Sequence, residues 1–103
     1  MIIVTGTFDL ADHALRDATV KATIPFQQAT RDTEPGCHAY IISADPCIPG
    51  RIQMYELWED ESALAAHFQH ANYTELIQAL GSLDLAGSTA EKFAVSDAQP
   101  LYS

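Results

Sequence analysis

Basic residues are scarce. Arg16, Lys21, Arg31, Arg51 and Lys92 are the 5 lysines and arginines among 103 residues, against 14 acids, for a formal net charge of −9. They are scattered along the chain, whereas counterion release on nucleic acid needs a clustered basic face. Nucleic acid is therefore excluded as a partner, and anionic membrane surfaces with it. Long apolar runs are missing too. The longest, Met1–Val4 and Ala39–Ile42, fall far short of the roughly 20 residues that span a bilayer. No basic leader precedes the first of them, so the start of the chain does not read as a signal peptide. The 2 cysteines, Cys37 and Cys47, make neither a disulfide framework nor a metal knuckle. Reduced thiols in a cytoplasmic protein are expected. There is no glycine-rich phosphate loop, and no His/Cys/Asp cluster has metal-ligand spacing.

What is present suffices for a core. Hydrophobic residues make up 48% of the chain and charged residues 18%, a globular composition. The length fits one domain over residues 1–103. Residues 2–8, IIVTGTF, read as a first strand. Asp9 offers a helix N-cap, with Asp12 in the first turn. Leu15, Ala18, Ala22, Phe26 and Ala29 then follow at helical spacing. Pro25 is expected to divide that helix, and Glu34-Pro35-Gly36 to end it in a turn.

Two strand-like runs come next, 37–43 and 51–59, joined by the loop ADPCIPG as an antiparallel hairpin. In the second run Ile52, Met54, Glu56 and Trp58 share one face, and Gln53, Tyr55 and Leu57 the other. Both faces carry large apolar groups, so something must cover each of them. Asp60 caps a short helix bearing Ala63, Leu64, His67 and Phe68. Asn72 and Glu75 are spaced as a capping box for the next helix. Residues 88–97, with Phe93 and Val95, read as a fourth strand. The order β-α-β-β-α-α-β is an α+β pattern: four strands in one antiparallel sheet, with helices on one face. A homodimer packed sheet to sheet would cover the other face.

Glu34-Pro35-Gly36-Cys37, Tyr40, Tyr55-Glu56-Leu57-Trp58-Glu59-Asp60 and Ala63-Leu64-Ala65-Ala66-His67 together resemble the antibiotic biosynthesis monooxygenase (ABM) domain family. The resemblance implies a ferredoxin-like α+β sandwich whose sheets associate into a dimeric α+β barrel, with an apolar cavity between sheet and helices. It also implies quinol- or anthrone-like oxidation by molecular oxygen with no flavin, haem or metal cofactor. Other members of the family degrade haem or isomerise small lactones, and some have no assigned reaction. The chain departs from the haem-degrading branch. Its first strand has Thr5 and Thr7 but no asparagine, and Ile77 stands near the position of the haem-ligating histidine. Asn72 occupies the place where members often carry a second histidine.

Catalytic candidates are His67 and Glu56. Imidazole, with an unperturbed pKa of about 6.5, exchanges protons with phenols near neutral pH. Glu56, flanked by apolar neighbours, either orients His67 or acts as the base itself. Structural roles stand beside these: His67 bonded to a backbone carbonyl or to Glu56, and Glu56 paired with Arg51 or Arg31 or bonded across a dimer. Trp58, Met54, Tyr40, Tyr73 and Phe93 are the expected lining for a small aromatic substrate, with core packing as their alternative role. The capping box accounts for Asn72, and Glu59-Asp60-Glu61 reads as a solvated helix start. The competing functions are a non-catalytic dimeric ligand-binding or stress-associated barrel, and a small isomerase on the same scaffold.

Overall fold

The computed structural model describes residues 1–102. Four strands form one antiparallel sheet: β1 (Ile2–Leu10), β2 (Cys37–Ala44), β3 (Arg51–Trp58) and β4 (Leu85–Ala94). Their spatial order is β2-β3-β1-β4. Three helices, α1 (Arg16–Thr33), α2 (Glu61–Phe68) and α3 (Ala71–Leu80), complete a ferredoxin-like α+β fold. The element order is the expected one. Strand β4 begins and ends three residues earlier than its pattern suggested, at Leu85 and Ala94.

Register sorts the side chains into rows across the sheet. Ile42, Met54 and Gly6 lie side by side, as do Tyr40, Glu56 and Val4, and then Cys37, Trp58 and Ile2. These rows face the helices. Ile2, Val4, Leu10, Tyr40, Ile42, Ile52 and Trp58 from the sheet, with Leu64 and Leu76 from the helices, make the buried core. Alternation sends Ile3, Ile41, Tyr55, Leu57 and Phe93 to the other face, where Ile41, Tyr55 and Phe93 are exposed. The expectation of two apolar faces on β3 holds.

The start of the first helix differs from its reading. Asp9 lies within β1, and its carboxylate takes two hydrogen bonds from Arg51, at 2.7 and 3.0 Å. Asp12 is the cap instead. Its carboxylate accepts from Ala14 N–H and opens a 3-10 turn, His13–Leu15, ahead of α1. Pro25 does not divide α1. A proline leaves the carbonyl four residues back without its helical donor. Here Lys21 and Pro25 both lie on the solvent side, where a carbonyl freed from its helical donor is open to water.

The buried stripe of α1 is also not the apolar one. Leu15, Ala18 and Ala22 are exposed and Phe26 and Ala29 half-buried, Phe26 against the core, while Thr23, Gln27 and Thr30 are buried. The cause is the sheet edge beneath. Strand β2 is an outer strand, and the Gln27 carboxamide accepts from Ile42 N–H (3.0 Å) and donates to Ile42 C=O (2.9 Å). Arg31 Nε donates to Tyr40 C=O at 2.8 Å. Side chains of α1 thus supply the hydrogen bonds that a further strand would make, and they close this edge to other chains. The turn after α1 requires Gly36, whose φ is +83°. A Cβ there would lie 2.7 Å from Ala63 Cβ, so α2 packs directly on the turn.

Candidate functional site

Two regions divide the space between helices and sheet. The first is a buried polar cluster under α2. Asp60 caps α2 by accepting from Ala63 N–H at 2.8 Å, and the helix carries His67 inward until it is 1% exposed. His67 Nδ1 lies 2.7 Å from Glu34 Oε1, and both side chains are enclosed. With Glu34 ionised, Nδ1–H is the donor and Nε2 is left as the basic nitrogen. Asn72 Nδ2 donates to the second Glu34 oxygen at 3.0 Å and also bonds Thr33 Oγ1. The role of Asn72 is therefore to hold Glu34. The cap of α3 is His70, whose Nδ1 accepts from Asn72 N–H.

Glu56 does not serve as the hydrogen-bond partner of His67. Trp58 Nε1–H donates to Glu56 Oε1 at 2.8 Å, and among the described residues this indole is the donor the carboxylate has. Burial raises the Glu56 pKa above the ordinary carboxylate range, the indole bond and nearby His67 opposing it. The ring of His67 lies 4.8 Å from Trp58 and 5.3 Å from both Tyr40 and Tyr73, centre to centre. Burial, with Glu56 and Glu34 nearby, pushes the Tyr40 phenol far up, so Tyr40 stays protonated. Cys37, pushed up to about 11 by burial first and then by Glu34, is a neutral thiol rather than a nucleophile. Both cysteines are free.

The second region is an apolar cavity of about 300 Å³ toward the other end of the sheet. Phe8, Leu10, Ile42 and Ile52 form its sheet side, and Ile77 and Leu80 of α3 stand opposite. Thr23 brings the one hydroxyl of the lining, and that group is engaged, donating to Val20 C=O and accepting from Gln27 Nε2. No titratable side chain lines the cavity.

Of the sequence-derived candidates, Trp58, Tyr40, Tyr73 and His67 come together in the polar cluster, with Glu56 beside Trp58. Met54 lies between Ile52 and Glu56 on the helix side of β3. Phe93 does not join them. It pairs with Ile3 and is directed to the face away from the helices. The expected lining residues are absent from the cavity wall, which Ile42, Ile52, Ile77 and Leu80 make instead. Glu34 and Asn72 were missed as members of the cluster. The signal for Glu34 was a polar stripe of helical period, Thr23, Gln27, Thr30 and Glu34 at spacings of 4, 3 and 4. Among the described residues no group of acids, histidines and cysteines could hold a metal ion, and no helix is long and apolar enough to cross a membrane.

The sequence profile of the antibiotic biosynthesis monooxygenase family matches residues 1–79. The chain belongs to that family. The matched stretch contains Glu34, Glu56, Trp58, His67 and Asn72, the whole polar cluster. Solved structures of antibiotic biosynthesis monooxygenase candidates share the fold. One from Deinococcus radiodurans is 28% identical, with all of both chains covered and a TM-score of 0.81. One from Caulobacter crescentus CB15 is 22% identical over 93% of this chain and 90% of its own, with a TM-score of 0.82. One from Nitrosomonas europaea is 18% identical over 94% of this chain and all of its own, with a TM-score of 0.81. The last two likenesses concern the fold alone. No curated protein matches the chain.

Proposed function

We propose that this member of the antibiotic biosynthesis monooxygenase family oxidises a small, neutral, hydroxylated aromatic of quinol or anthrone type with molecular oxygen and no resident cofactor. The observation that carries the reading is the position of the apolar cavity. It lies one strand row from buried Glu56, with the His67–Glu34 pair beyond. A cavity of about 300 Å³ is at the small end of ligand sites, and its lining suits an uncharged ring. The net charge of −9 disfavours anionic ligands.

The chemistry asks little of the protein. A base takes the acidic proton of the substrate, and the anion passes one electron to oxygen. Substrate radical and superoxide combine, with a proton returned, into a hydroperoxide. Loss of water then leaves the quinone, so both atoms of oxygen are accounted for. Electrons come from the substrate, and the protein orients, deprotonates and excludes water. His67, with Nδ1 committed to Glu34, and Glu56, with its raised pKa, are the proton-accepting groups of this reading. Trp58, Tyr40 and Tyr73 enclose them.

Family members are commonly dimeric, and a second copy is the partner that fits the open sheet face. Ile41, Tyr55 and Phe93 are exposed there together. Phe93 thus belongs to the dimer in this reading.

Oxygen uptake with a panel of dihydroxyaromatics, comparing wild type with His67→Gln, tests the function. Substrate-dependent uptake that falls at least about tenfold in the variant supports it. No uptake across the panel overturns it. The near-complete enclosure of His67 favours a second reading, a ligand-binding protein without turnover, which binding in the absence of uptake would support.

A further inference from the structure

We propose that Met54 is a movable gate between the apolar cavity and Glu56, and that the hydroxyl of a bound aromatic reaches the Glu56 carboxylate by displacing the methyl end of Met54. The inference rests on the cavity being the substrate site and deepens it, because it names the group the substrate hydroxyl meets.

Three observations converge on Met54. First, its place: on the helix side of β3 it lies between Ile52, which lines the cavity, and Glu56, and it is paired with Ile42, which also lines it. From the Ile42–Met54 row to the Glu56 row is one step of two residues along the strand, about 7 Å, the reach of a hydroxyl on a ring whose body stays among the apolar side chains. Second, its seat: Met54 Cε lies over Gly6, 3.0 Å from where a Cβ would stand. The side chain occupies a notch that exists because this row of β1 has no side chain. Third, its freedom: Met54 is only half-buried, and an unbranched thioether changes rotamer at little cost.

The groups on either side of the gate complement one another. A hydroxyl inside the cavity finds no free acceptor in Thr23, whose Oγ1 already donates to Val20 and accepts from Gln27. Burying that hydroxyl unpaired is costly. Glu56, beyond Met54, has acceptor capacity to spare. Its carboxylate takes a hydrogen bond from the Trp58 indole alone among the described residues. Joining the two gives the hydroxyl its acceptor. The same contact sets the proton on the path from substrate hydroxyl to Glu56, with His67 close enough to lower the Glu56 pKa. Met54 is therefore a specificity-determining residue. It admits ligands whose hydroxyl repays its displacement and rejects rings of the same outline without one.

Trp58 is the one tryptophan of the chain, and its indole is bonded to Glu56, so its emission reports on the gate. The test is anaerobic binding of 4-propylphenol and of 4-propyltoluene, which has a methyl in place of the hydroxyl, read by calorimetry and Trp58 emission. Wild type should prefer the phenol by about tenfold and shift its emission with the phenol only. Met54→Ala should tighten the phenol severalfold. Glu56→Gln, which keeps an acceptor for the indole, should reduce the preference to about threefold or less. Equal binding of both ligands to wild type, with emission unmoved, overturns the gate and leaves the cavity as the ligand site. Binding of neither overturns both.

Discussion

The two ends of the helix–sheet layer are built by opposite means. At one end Glu34 holds His67 and Asn72, and the Trp58 indole holds Glu56, through hydrogen bonds, with every one of these side chains but the half-buried Asn72 almost wholly enclosed. At the other, apolar side chains surround about 300 Å³ of empty space. A buried polar network is costly when incomplete, because each orphaned group loses its hydration. An apolar void costs only the contacts its walls forgo. The polar end is therefore rigid and intolerant of substitution, and the cavity end is adaptable. The difference separates two tasks: geometry for the proton at one end, and room for a variable ring at the other.

Glu34→Ala should produce the largest effect. It leaves His67 and Asn72 without their shared acceptor, and denaturant unfolding should show a loss of about 3 kcal/mol. Leu80→Ala, on the wall of an existing void, should cost less than the 2–5 kcal/mol (roughly) seen for well-packed positions. Equal losses would abolish the contrast.

Gln27→Leu should cost about 2 kcal/mol, because the backbone N–H and C=O of Ile42 lose their partners. It should also increase self-association, read by light scattering, since the β2 edge becomes available. A silent Gln27 would place α1 packing, rather than the edge, in charge of its buried face.

Ile77→Trp sharpens the division of labour. Filling the cavity should lower kcat/KM for the aromatic substrate at least about tenfold while stability changes by under about 1 kcal/mol. A matching loss of stability would mean that the wall is part of the core.

Glu56→Gln addresses the pH dependence. The folded-state pKa of Glu56 is raised by burial, so its favourable contribution is full below the unfolded carboxylate range. That contribution is lost as pH rises through the folded value. The stability of wild type relative to the variant should therefore decline across that window. Asp9, whose pKa is lowered first by its Arg51 hydrogen bond, has the opposite sign: its contribution is present above the unfolded value and disappears as pH falls through the folded one. Asp9→Asn, at a pair that stays partly open to solvent, should change stability least of all, as read by denaturant unfolding.

Local chemistry made most of the fold legible. Strand alternation placed Glu56 and Trp58 on one face and Tyr55 on the other, and Asp60 marked the start of α2. What misled was a preference for apolar residues as the sign of burial. Helix α1 buries Thr23, Gln27 and Thr30 because an edge strand needs partners, a demand that arises only once β2 is known to lie outermost. For the same reason Asn72 resembled a cap. Its spacing to Glu75 was right, but Glu34, distant in sequence, competed for the amide. Phe93 was assigned to the cavity on hydrophobicity alone, whereas its pairing with Ile3 decides its face.

A crystal structure with oxidation-resistant 4-propylphenol bound tests most directly whether cavity and polar cluster form one site. The account predicts the ring among Phe8, Ile42 and Leu80, with Met54 moved off Gly6 and the hydroxyl within hydrogen-bond distance of Glu56. A ring on the open sheet face, or in the cavity with its hydroxyl turned toward solvent past Ile77 and Met54 unmoved, would contradict it.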